Sequence, residues 1–264
     1  MKRIKQKGAC KVRILASDYD GTLRREDRVS AVDLQAIGRW RSAGNRFGLI
    51  SGRGYTSLHK EAENNGVPCD FYICNNGCAI YDAGGQVLWE HTAPSSDLTD
   101  LVPFIIQTGG FHAAVTCGRK RFVVRYDGMK DTEVDEWIVP NQVANLPPFT
   151  QIDTSFDQEE RAAWFSGEVN RRFAGKITAH QNGVCVDMVP AGGSKPAGLS
   201  QYAALVGLDE SQILTVGDNY NDLGMIEAFH GFTVTSAKPE VIAKAAKVYE
   251  SIACLIADQM GCGE

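Results

Sequence analysis

The chain has 264 residues, 44% of them apolar and 22% charged. That composition suits one large or two modest folded units of roughly 150 residues each, and it excludes a disordered chain, a collagen and a coiled-coil rod. With 27 basic against 32 acidic residues the net charge is −5, which gives no overall pull toward nucleic acid or an anionic membrane.

The opening stretch Met1–Gly8 is basic but lacks a following apolar run, so it reads as a fraying tail rather than a secretory signal. No apolar stretch approaches the ~20 residues that span a bilayer. Lys11–Asp18 starts alternating and ends apolar, as a strand buried on both faces does. Ser30 with Asp33 forms a helix start, and Val32, Ala36, Ile37 and Trp40 recur at helical spacing up to a stop at Gly44. Arg46–Ile50 reads as a strand, Tyr55–Asn64 as a helix and Phe71–Cys74 as a third strand. This alternation predicts a parallel sheet with right-handed crossovers.

Cys78–Tyr81 and Gln86–Trp89 then flank the turn residues Asp82–Gly85, predicting a hairpin. Next come a helix over 97–107, strands over 111–117 and 121–127, a break at Pro147-Pro148, a strand near 149–153 and a helix over 157–173. Strands Lys176–His180 and Val184–Val189 meet at Gln181–Gly183. Paired strands joined by hairpin turns predict an antiparallel α+β unit. After Gly192-Gly193 the alternation resumes: a helix over 195–206, strand Gln212–Val216, a helix over 221–229, strand Phe232–Thr235, a helix from Pro239, strand Lys247–Tyr249 and a last helix. The expected architecture is α/β, a doubly wound parallel sheet with an inserted α+β cap: core 1–84, cap 85–190, core 191–264.

The eight cysteines (10, 69, 74, 78, 117, 185, 254 and 262) form no C-x-x-C pair and read as reduced thiols of a cytoplasmic protein, mostly buried. The histidines at 59, 91, 112, 180 and 230 form no ligand motif.

Four short polar motifs lie in the two core segments. Asp18-Tyr19-Asp20-Gly21-Thr22-Leu23, Ser51-Gly52-Arg53 and Gly217-Asp218-Asn219-Tyr220-Asn221-Asp222 each follow a predicted strand, and Gly193-Ser194-Lys195 opens a helix. Ligands of open α/β sheets bind at the carboxyl ends of the strands. Residues two apart on an extended chain face one side, so Asp18 and Asp20 can share a pocket. Asp18, Asp20, Asp218 and Asp222 would converge there. Two carboxylates ~4 Å apart repel by ~4 kcal/mol at an effective dielectric near 20, so the set calls for a cation. Oxygen donors without His or Cys suit Mg²⁺. Lys195, the Ser51 hydroxyl and backbone N–H groups near Gly52 suit phosphate oxygens. Asp18, ionising near its ordinary pKa of ~3.9, would be a carboxylate nucleophile toward phosphorus, with Asp20 as general acid and then base.

These four motifs resemble those of the haloacid dehalogenase superfamily of phosphohydrolases, over essentially the whole chain. Asn76-Gly77 and the position of the cap are similar to its Cof-type branch, whose α+β cap is called type IIB. The resemblance implies Asp18 as nucleophile and Asp20 as acid/base, Mg²⁺ held by Asp18, the Asp20 main-chain carbonyl and Asp218, and Asp222 supporting the metal's water shell. Ser51, Gly52, Lys195 and Asn221 match phosphate-contacting positions. Pro196 stands where the family commonly has glycine, and proline is tolerated in a first helical turn. Asn75 adds an asparagine beside the usual Asn-Gly pair.

The cap would close over the site and exclude water. His112, Arg119, Lys120, Arg125, His180 and Asp187 are its candidates for contacts to the leaving group, while Trp89, Trp137 and Trp164 are expected to pack. The expected activity is hydrolysis of small phosphomonoesters, sugar or nucleotide-derived phosphates with sugar phosphates foremost, by a monomer or small homo-oligomer with neither nucleic acid nor membrane as partner. A phosphomutase of the phosphomannomutase type, with Lys120 and Arg121 among the cations it would need, is one alternative. An inactive binding or regulatory protein on the same fold is another.

Overall fold

The computed structural model describes residues 12–130 and 132–261. The basic segment Met1–Gly8, Cys10 and Cys262 lie outside them. In chain order the first half runs β1 (Ile14–Asp18), α1 (Ala31–Ser42), β2 (Arg46–Ile50), α2 (Tyr55–Asn64), β3 (Phe71–Cys74), β4 (Ala79–Asp82), β5 (Val87–Glu90), α3 (Leu98–Gln107), β6 (Ala114–Cys117), β7 (Lys120–Val124) and β8 (Glu136–Ile138). The second half runs β9 (Gln151–Ser155), α4 (Glu159–Arg172), β10 (Ile177–Asn182), β11 (Cys185–Pro190), α5 (Lys195–Val206), β12 (Ile213–Gly217), α6 (Leu223–Ala228), β13 (Phe232–Val234), α7 (Pro239–Lys244), β14 (Lys247–Tyr249) and α8 (Ile252–Gln259).

The strands form an eight-stranded sheet, ordered β14-β13-β12-β1-β2-β3-β4-β5, and a six-stranded sheet, ordered β10-β11-β9-β6-β7-β8. The first is parallel from β14 through β3; β4 and β5 join it antiparallel. Strand β1 is buried along its whole length because both of its faces are covered. Leu15 packs into a cluster with Ala36, Ile37 and Trp40 of α1, Leu58 of α2 and Leu255 of α8. Ile14 and Ala16 pack on the other face with Leu199, Tyr202 and Ala203 of α5.

Alternation organises the second sheet. Val115, Phe122, Ile152, Val186 and Met188 meet Leu101 and Ile105 of α3 and Phe165 and Val169 of α4 in one apolar cluster. Their strand neighbours Thr116, Arg121, Gln151, Asp153 and Asp187 are thereby turned to the opposite face, which looks onto the carboxyl edge of the first sheet.

The structure departs from the sequence expectations in several places. The boundary at 84/85 cuts a hairpin: β5 pairs with β4 and stays at the edge of the eight-stranded sheet. The strand expected over 111–117 begins at Ala114, and β8, which pairs parallel with β7, was not expected. In α1, Val32 is 62% exposed. Asp33 is buried in its stead, bonding Ser30 and the backbone N–H of Ala253, so the inward face is 33, 36, 37 and 40. Trp137 and Trp164 are exposed, and only Trp89 packs partly against a core cluster.

Six free cysteines are described, four of them buried, with burial pushing the Cys69 thiol up to about 12. No helix among the described residues is long and apolar enough to cross a membrane.

Candidate active site

Strand β1 pairs with β12 on one side and β2 on the other, so the loops after all three emerge at one edge. The sheet order reverses direction at β1, the kind of crevice where doubly wound sheets bind ligands. Carboxylate oxygens of Asp18, Asp218 and Asp222 lie within 4.8 Å of one another. Gly21 makes the close approach possible: its φ is +86°, and a Cβ there would overlap the Asp218 carboxylate. The Thr22 hydroxyl donates to Asp218 Oδ1 at 2.5 Å.

Lys195, the first residue of α5, is 2% exposed. The Ser194 side chain caps that helix and Pro196 sits in its first turn, so proline leaves the lysine in place. The Lys195 Nζ donates to Asp18 at 2.7 Å and to Asp222 at 2.6 Å. The other oxygen of Asp222 accepts the backbone N–H groups of Asp218 and Asn219 at 3.0 and 3.1 Å. Both Asp222 oxygens are therefore engaged in orienting Lys195 and the loop that carries Asp218.

The electrostatics correct one sequence expectation. Asp18 does not ionise near its ordinary value: burial first, then Asp222, pushes its pKa well up against the pull of Lys195. Burial likewise raises Asp218, to about 6, with Asp222 adding to the effect and the Thr22 hydrogen bond opposing it. Burial disfavours the charged Lys195, yet Asp18 and Asp222 hold its pKa above the ordinary lysine value. Three carboxylates thus share one ammonium. Hard oxygen donors in that state, with no His or Cys among them, fit a small divalent cation.

Asp20 lines the same cavity as Asp18, but its side chain does not join the acidic cluster. Arg53 grips it with two bonds, of 2.6 and 3.0 Å, and Arg24 adds a third at 3.2 Å. Ser51 is buried, and its Oγ accepts the backbone N–H of Arg53 at 3.1 Å. Ser51, Gly52 and Asn221 line the cavity.

That cavity, of about 690 Å³, lies between the sheet edge and the polar face of the six-stranded sheet. Cross-links join the two: Asn75 Nδ2 donates to Thr150 Oγ1 at 2.7 Å, Asn76 Nδ2 to Asp187 at 2.8 Å, Gln151 Nε2 to the Gly52 carbonyl at 3.0 Å and Asn219 Nδ2 to Asn182 at 2.7 Å. Of the six leaving-group candidates, His112, Arg119 and Asp187 line the cavity. The other three do not. Lys120 faces Glu136 at 3.9 Å, the Arg125 guanidinium lies 4.9 Å from the Trp137 ring, and His180 Nε2 bonds the Gly193 carbonyl at 2.9 Å. Burial lowers the His180 pKa. Sequence reasoning missed Arg53 as the partner of Asp20, and Gln151 and Asp153 on the cavity wall. Period-two alternation around the apolar residues of β9 and β11 carries that second signal.

A doubly wound sheet with an acidic cluster and a buried lysine at its carboxyl edge, roofed by a second sheet, defines a capped α/β enzyme. The chain belongs to the haloacid dehalogenase-like hydrolases, whose sequence profile matches residues 15–253. It is similar to the pyridoxal phosphate phosphatase of Escherichia coli (strain K12), 24% identical over 235 residues covering 82% of this chain and 85% of that one. The phosphoglycolate phosphatase of Pyrobaculum aerophilum is 26% identical over 243 residues, covering 91% and 89%. Among solved structures, a phosphatase of the superfamily from Bacteroides thetaiotaomicron has the same fold, with a TM-score of 0.78 at 22% identity over 99% of both chains.

Proposed function

We propose that this phosphatase hydrolyses small phosphomonoesters, sugar phosphates foremost, through an aspartyl-phosphate on Asp18. The observation that carries the reading is the buried Lys195 ammonium bridging Asp18 and Asp222, with Asp218 beside them, at the ends of β1 and β12.

Asp18 attacks phosphorus as the carboxylate that the Lys195 ammonium stabilises, its bond to phosphorus forming as the ester P–O bond breaks. Asp20, on the same side of the chain, gives a proton to the departing alkoxide. The resulting Asp20 carboxylate then takes a proton from water as that water attacks the acyl phosphate, returning Asp18 and inorganic phosphate. The Arg53 and Arg24 contacts must loosen for Asp20 to reach the leaving group. Lys195, the Ser51 hydroxyl, the Gly52 N–H and Asn221 hold the phosphoryl oxygens, preorganised where charge accumulates. Asp18, Asp218 and the Asp20 main-chain carbonyl would hold Mg²⁺, with Asp222 behind them; when bound, the ion supplies positive charge to the transferring phosphoryl group.

The six-stranded unit, from residue 91 to 190, serves as the cap that excludes water from the first half-reaction. Hydrolysis is favoured over a phosphomutase because Arg121 is paired with Asp153 and Lys120 does not line the cavity. Unpaired thiols among the described residues agree with a cytoplasmic setting.

The test is phosphate release from a metabolite panel with Mg²⁺, for wild type and Asp18→Asn. Asp18→Asn should lose about a thousandfold or more, as nucleophile removals do. Retention of more than about a tenth of wild-type activity would remove Asp18 from the covalent role.

A further inference from the structure

This inference rests on the phosphatase reading and concerns what the alcohol half of the substrate must carry. The cavity walls hold several carboxylates, and most have a cation. Arg121 holds Asp153 with bonds of 2.5 and 2.8 Å, and His112 adds one at 3.0 Å. Asp20 is held by Arg53 and Arg24. Asp187 differs. Its side-chain partner is Asn76, at 2.8 Å, and among the described residues it makes no ion pair.

Asp187 also stands directly over the loop assigned to phosphate. A Cβ added at Gly52 would lie 2.5 Å from its Oδ2. Lys195 is close enough to lower its pKa, yet burial first and Asp153 second push it up to about 7. A carboxyl group in that position has acceptor lone pairs facing the cavity. Phosphoryl oxygens cannot satisfy those lone pairs, being acceptors themselves. A donor on the leaving alcohol can, and the closeness of Asp187 to Gly52 requires that donor to sit next to the ester.

A second observation concerns aromatic leaving groups. Among the described residues, Tyr55 is the one Phe, Tyr or Trp that lines the cavity. Its ring is already taken up by the protein. It stacks on Tyr81 at 4.3 Å, meets the edge of Tyr72 at 5.5 Å, lies 4.8 Å from the Arg119 guanidinium, and the residue is 7% exposed. No free aromatic face is offered to a pyridine ring or a nucleobase.

We propose that Asp187 is a specificity-determining residue that accepts a hydrogen bond from a hydroxyl on the carbon next to the ester carbon, so that the enzyme takes phosphate esters of aliphatic vicinal diols and polyols. Asn76 holds the carboxyl group in place from the core side, and Gln151 braces Asn76 at 3.3 Å.

Two esters that differ by one hydroxyl test this: n-propyl phosphate, and the phosphate of propylene glycol at its primary hydroxyl. The kcat/KM of each is measured with Mg²⁺ for wild type, Asp187→Asn and Asp187→Ala. Wild type should favour the diol ester by about tenfold or more. In Asp187→Ala the ratio should fall to about one, the hydroxyl having lost its acceptor. Asp187→Asn keeps the shape and one acceptor oxygen, so it should fold as wild type and give an intermediate ratio. A wild-type ratio near one, or a ratio unchanged in both variants, overturns the proposal. Absence of turnover of every ester by wild type overturns the phosphatase reading and this inference with it, whereas equal turnover of the two esters overturns this inference alone.

Discussion

Lys195→Met replaces the buried ammonium by an apolar chain of similar length. Lys195 is 2% exposed and lies 2.7 Å from Asp18 and 2.6 Å from Asp222, itself fully buried. Removing one partner from a buried ion pair leaves the other charge uncompensated, at a cost of about 3–5 kcal/mol. The Lys195 pKa is raised above its ordinary 10.5, so this stabilisation is complete below that pH and is lost only as pH rises through the higher folded value. At neutral pH the whole effect applies. For a chain of this size it lowers the melting temperature by roughly 6–20 °C. The assay is urea and thermal unfolding at pH 7 in chelator-containing buffer, with the double variant Lys195→Met/Asp222→Asn alongside. Neutralising Asp222 removes part of the stranded charge, so the double variant should regain at least about 1 kcal/mol over Lys195→Met. A loss below about 1 kcal/mol, with no recovery in the double variant, would refute the view that Lys195 is the counter-ion of this cluster.

Two further outcomes follow from the same electrostatics. Exhaustive chelation should abolish phosphate release and added Mg²⁺ should restore it; undiminished turnover after chelation would take the metal out of the mechanism. Asp187, whose pKa is pushed up to about 7 by burial and Asp153, with Asn76, Arg121 and Lys195 opposing, keeps in the folded state a proton that the unfolded chain releases near 3.8. Its contribution to stability is therefore full below about pH 4 and falls as pH rises through about 7. The urea midpoint of wild type should decline across that window relative to Asp187→Asn, and parallel curves would contradict the assignment.

The core was legible where glycine, proline and caps punctuate apolar runs. The helices 55–64 and 195–206 and the strands 71–74 and 247–249 have the bounds that the pattern predicts. Legibility failed where tertiary contacts outweigh pattern. Asp33 turns inward because it bonds a backbone N–H more than two hundred residues away, on α8, which no local period encodes. Strand β8 has three residues, with Ile138 alone buried, too little for a period-two signal. Trp137 and Trp164 look like core residues in sequence, yet one lies against Arg125 and both face outward.

In the site, the four motifs could be read because each loop follows a strand or opens a helix, so topology alone gathers them. The partner of Asp20 could not be read: Arg53 lies 33 residues away, and its side chain could equally have turned to a phosphate or to solvent. The cavity face of the cap needed one added fact, namely which of the two alternating faces is covered by α3 and α4. Once Ile152 and Met188 are placed under those helices, Gln151, Asp153 and Asp187 must face the core.

The stereochemical course at phosphorus tests the covalent role of Asp18 most directly. An isotopically chiral phosphorothioate monoester is hydrolysed in isotopically labelled water and the configuration of the released thiophosphate is determined. Two successive in-line displacements, first by Asp18 and then by water, give overall retention. Inversion would mean that water attacks the ester in a single step, and the aspartyl-phosphate would have no place in the mechanism.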